Sequence, residues 1–141
     1  MSTAAIVYVL TVLAAVVVVL TRVRLARPAG GAGRFEVGRR LVDVHTVAGV
    51  LALVVWTAFL VAGEDSTLGS ATAGIIALAL WWVVVVAGLL ILVRWMPSRG
   101  RHANEARRDS WSEGPGLSVL AHVGMFVGVC VFTWAYLTSA V

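Results

Sequence analysis

The sequence predicts an all-α membrane protein, an up-down bundle of four transmembrane helices with the N and C termini extracytoplasmic. Three observations carry that prediction. Four apolar runs divide the chain, each roughly 17–23 residues long, where a helical span needs about 20 at 1.5 Å rise per residue. Of the 141 residues 60% are hydrophobic and 13% charged, and a soluble domain carries about twice that charge. Every arginine falls in two of the three connections between the runs.

The first run, 4–20, follows Met1-Ser2-Thr3 and precedes Arg22, Arg24 and Arg27. A secretory signal has its basic residues before the apolar stretch and a small-residue cleavage site after it. This order is the reverse, so a retained helix is expected, inserted with its N-terminus outward. The second run, 41–62, begins after Arg39-Arg40 and stops at Gly63-Glu64-Asp65. The third, 71–93, holds no charge and ends at Arg94-Trp95. The fourth, 117–137, opens after Gly114-Pro115. Valine is abundant in all four, which in water would suggest strands. Runs this long without a polar alternation exclude barrel strands, however. Helices satisfy their own backbone in lipid, so residues 1–141 are expected to form one integral membrane domain.

Orientation follows from charge. Connections 21–40 and 94–116 hold all eleven basic residues, every one an arginine, while the short second connection holds only Glu64 and Asp65. The positive-inside rule puts the two arginine-rich loops in the cytoplasm. The absence of lysine beside abundant Ala, Val and Gly is the composition of a GC-rich bacterium, so a multi-pass protein of the bacterial cytoplasmic (inner) membrane is expected. A pI near 10.6 does not point to nucleic acid, because the arginines flank helix ends instead of forming a binding stripe. The glycines of Pro28–Gly33 are not followed by a Gly-Lys-Ser/Thr sequence and do not follow a strand, so they read as a connector and not as a phosphate loop. Residues 99–111 are expected to form a short surface helix with Trp111 at the interface. His102 falls in this polar stretch and is expected to be solvated. Cys130, the one cysteine, lies in the last apolar run and reads as packing.

Ionisable side chains inside a membrane are costly and mark function. No Asp, Glu, Lys or Arg occupies mid-depth in any run, which argues against a proton-coupled pump. His45 and His122 remain, with Asp43 at the edge of the second run. Each histidine lies four or five residues past the start of its run, about 6–8 Å inside the cytoplasmic boundary. The second and fourth helices run in the same direction, and in an up-down bundle they are diagonal partners. With adjacent helices about 8–10 Å apart, the diagonal is what two imidazoles on either side of a haem iron need. The helical face of His45 continues through Ala48, Gly49, Ala52, Trp56, Phe59 and Gly63. Its small members leave room beside a planar macrocycle. Met125, Phe126, Val129, Thr133 and Tyr136 lie near the face of His122 and make it bulkier. Another metal, a quinone role and plain polar contacts stay open for the pair. The opposite face of the fourth helix carries Ala121, Gly124, Gly128 and Ala135, a small-residue stripe for close helix approach within the chain or for docking another subunit. Gly74 and Gly88 on the third helix read as packing glycines.

The segment Arg40-Leu41-Val42-Asp43-Val44-His45-Thr46-Val47-Ala48-Gly49, with Arg, then His, then Gly four residues on, resembles the haem-bearing helices of membrane b-type cytochromes. These include the small cytochrome b anchor modules of dehydrogenases. The resemblance covers about one helix and is echoed by His122, which is followed by Phe126 where the pattern has glycine. It implies His45 and His122 as axial ligands of a single haem b, and electron transfer between a partner subunit and quinone. Two other functions fit the sequence. With no nucleophile, acid–base pair or metal-cluster motif, the chain is not expected to be an enzyme on its own. It could serve as an accessory or assembly subunit of a membrane complex. It could also form an oligomeric channel or transporter lined by Tyr8, Thr11, Thr57 and Thr72. The expected partners are membrane lipids together with other membrane subunits or further copies of the chain.

Overall fold

A computed structural model of the protein describes residues 2–26, 39–63, 65–95 and 115–141. All regular structure among the described residues is helical: α1 (Thr3–Ala26), α2 (Arg39–Val61), α3 (Ala71–Trp95) and α4 (Pro115–Leu137). All four helices are long and apolar enough to cross a membrane. The expected surface helix over 99–111, the glycines of 28–33, His102 and most of the arginines lie outside the described residues.

The helices run past the apolar runs that predict them. α1 continues through Arg22 and Arg24 to Ala26, and α4 starts two residues early at Pro115. Lipid limits where a charge can sit, but it does not end a helix. Proline at the first helical position needs no N–H partner and brings its φ already set. Two starts are capped by serine. Ser2 Oγ accepts from the Ala5 N–H at 3.2 Å, and Ser70 Oγ accepts from Ala73 N–H at 3.4 Å, meeting donors that the first turn leaves unpaired. α4 closes at Ser139 (φ 52°). There Ala140 N–H reaches the Ala135 carbonyl at 2.9 Å and Ser139 N–H the Tyr136 carbonyl at 3.1 Å. This is the left-handed cap that turns the chain off a helix end.

Each helix packs on its neighbours in sequence, α1 packs on α4, and the α2–α3 seam is the most extensive. Side-chain bonds show the antiparallel sense of the neighbours. The Tyr8 hydroxyl of α1 donates to the Leu60 carbonyl near the end of α2 at 3.0 Å. Tyr136, near the end of α4, donates to the Ala71 carbonyl at the start of α3 at 2.9 Å. Trp56 Nε1–H donates to Thr11 Oγ1 at 3.1 Å, and that hydroxyl donates to the Val7 carbonyl at 2.8 Å. The bond between Trp56 and Thr11 is buried and ties α1 to α2.

The core is built in levels seven residues apart. At one end, Gly74 of α3 faces Phe59 of α2 and Tyr136 of α4, whose rings lie 5.9 Å apart. Seven residues along each helix stand Ala52, Trp81 and Val129, all fully buried. Seven further stand His45, Gly88 and His122, which meet one another. Phe132 fills the space between the first two levels, 5.0 Å from Trp56 and 5.7 Å from Trp81. A seven-residue repeat on facing helices keeps one seam in register along a left-handed supercoil.

Candidate functional site

The site is assembled from α2, α3 and α4 at the level where α2 and α4 begin. His45 is on the second turn of α2, and one turn on its own face lie Ala48 and Gly49, both buried, with fully buried Ala52 another turn away. These residues leave the inner face of α2 without bulk beside the imidazole. Gly49 is in ordinary contact distance of α1 and α3: a Cβ there would lie 3.7 Å from Val18 and 3.9 Å from Val84. His122 stands on α4 at the same level. The two ring centroids are 6.3 Å apart with their planes inclined at 40°. Both imidazoles are half-buried and face one another across the bundle interior.

The third member is Gly88 of α3. A Cβ added there would lie 3.2 Å from Nε2 of His45, 3.2 Å from Nε2 of His122 and 2.8 Å from Cδ2 of His122. Both ring nitrogens therefore converge on one point of the α3 backbone, and only glycine leaves that point empty. From sequence Gly88 was indistinguishable from a packing glycine. The readable signal was its register, fourteen residues from Gly74 with Trp81 midway.

Two tests bear on whether these residues suit a haem. The ring-centre spacing, 6.3 Å, suits it. A nitrogen about 2 Å from a shared metal places its ring centre about 3 Å away, so two axial imidazoles stand roughly 6 Å apart centre to centre. The surrounding space does not suit it in this conformation, because the α3 backbone at Gly88 occupies the gap between the nitrogens on one side. Among the described residues no group of three or more His, Cys, Asp or Glu side chains could hold a metal ion. A metal held by this pair therefore needs ligands from outside those side chains.

The structure distributes the other residues singled out from sequence differently. Phe126, expected near the face of His122, is 42% exposed and meets Trp82 edge-on at 6.1 Å on the outer surface, while Met125 packs against the core. The small-residue face of α4 is split. Ala135 is fully buried and Gly128 is buried, Ala121 is intermediate and Gly124 is exposed. A Cβ at Gly124 or Gly128 would meet nothing within 4 Å, so neither glycine is required by packing among the described residues. Of the four hydroxyl residues considered for a pore, Thr11 is buried against Trp56 while Tyr8, Thr57 and Thr72 are exposed. Asp43 and Cys130 are exposed. Comparison with known protein families, with functionally characterised proteins and with solved structures finds no match to this chain, and the functional reading rests on its own residues.

Proposed function

We propose that the chain is a small integral membrane subunit holding one b-type haem between His45 and His122, an electron-transfer module of a larger redox assembly. The observation that carries this reading is the imidazole pair itself, 6.3 Å between centroids on two diagonal helices. In this reading the helices thread the bacterial cytoplasmic membrane up and down, with both termini extracytoplasmic and the arginine loops inside. His45 and His122 would hold the iron. Gly49, Ala48 and Ala52 keep side-chain bulk away from the α2 side of the site, and the lipid-embedded bundle excludes water. When bound, haem supplies a one-electron iron couple tuned by its two imidazoles and by burial. Membrane quinone is the acceptor class the setting supplies, and a partner subunit provides the soluble chemistry.

The test is an optical spectrum of detergent-purified protein from haem-replete cells. The reduced-minus-oxidised difference should show the alpha band of a six-coordinate b-type haem, lost in both His45→Ala and His122→Ala. A colourless, folded preparation rejects the reading.

A second reading, a non-catalytic accessory subunit, is supported by Gly124 and Gly128, where an added Cβ would meet nothing within 4 Å among the described residues. Stoichiometric co-purification with membrane partners that survives both histidine substitutions would favour it.

A further inference from the structure

We draw no further inference here: the strongest candidate, the outward face of α4 where exposed Val123, Gly124 and Val127 lie together, is an apolar small-residue stripe, and nothing in the structure shows what covers it.

Discussion

His122 lies against the backbone of Gly88, so close that a methyl group on that glycine would come within 2.8 Å of the ring carbon Cδ2. An alanine at 88 must push the imidazole, which is half-buried and already shares its space with His45. Overpacking of this kind costs about 1–3 kcal/mol, offset by the roughly 1 kcal/mol that alanine gains over glycine inside a helix. Gly88→Ala should therefore lower stability in detergent by up to about 2 kcal/mol. Gly124→Ala meets open space and should be neutral or stabilising by about 0.5–1 kcal/mol. Thermal unfolding of the two variants side by side checks the contrast. Equal effects would mean that the convergence at Gly88 is not tight in solution.

Thr11→Val removes the acceptor of the buried Trp56 N–H while keeping the side-chain volume. An orphaned buried donor costs about 1–3 kcal/mol, and that loss should appear as a lower unfolding midpoint. Trp81 offers the internal control, because its buried Nε1 already has no hydrogen-bond partner among the described residues. Trp81→Phe should lose packing only, with no added penalty from an unpaired acceptor. If Thr11→Val is silent, the indole bond contributes nothing net.

Tyr136→Phe deletes the donor to the Ala71 carbonyl while keeping the ring against Gly74. A loss of about 0.5–1.5 kcal/mol is expected, with faster amide exchange at the start of α3. Tyr8→Phe should do the same at the end of α2, where Leu60 loses its side-chain donor.

The arginine distribution predicts topology. A reporter active only outside the cytoplasm should work when fused after Val141 or before Met1, and should fail when inserted in 96–114. A reporter restricted to the cytoplasm should give the reverse. Activity of the same reporter at Val141 and within 96–114 would contradict the orientation read from charge.

The spans were legible because lipid demands an unbroken apolar stretch, and that demand is written locally. Helix ends were less so. Arg22 and Arg24 end the apolar run but not α1, because a helix can carry charge once it leaves the hydrocarbon. The histidine pair was legible from depth and direction alone. Its third member was not, since the need for glycine at 88 arises from two side chains that lie far away in sequence. Phe126 misled for a related reason. A step of four residues along α4 keeps roughly the same face, but the partner helix covers only part of that face, and Phe126 falls beyond its edge beside Trp82. The division of the Gly124 stripe likewise depends on where α4 meets its neighbours, which periodicity does not encode.

The spacing of Gly74, Trp81 and Gly88 also constrains how α3 can change in length. Deleting one residue between the two glycines would leave a segment still long and greasy enough to insert. It would rotate one glycine by about 100° relative to the other, and a bulky residue would turn toward either the histidines or Tyr136. A change of seven residues would restore the rotation but carry one glycine to the level of Ala52 and Val129, so the fourteen-residue spacing itself is fixed, a stricter rule than membrane insertion alone would set.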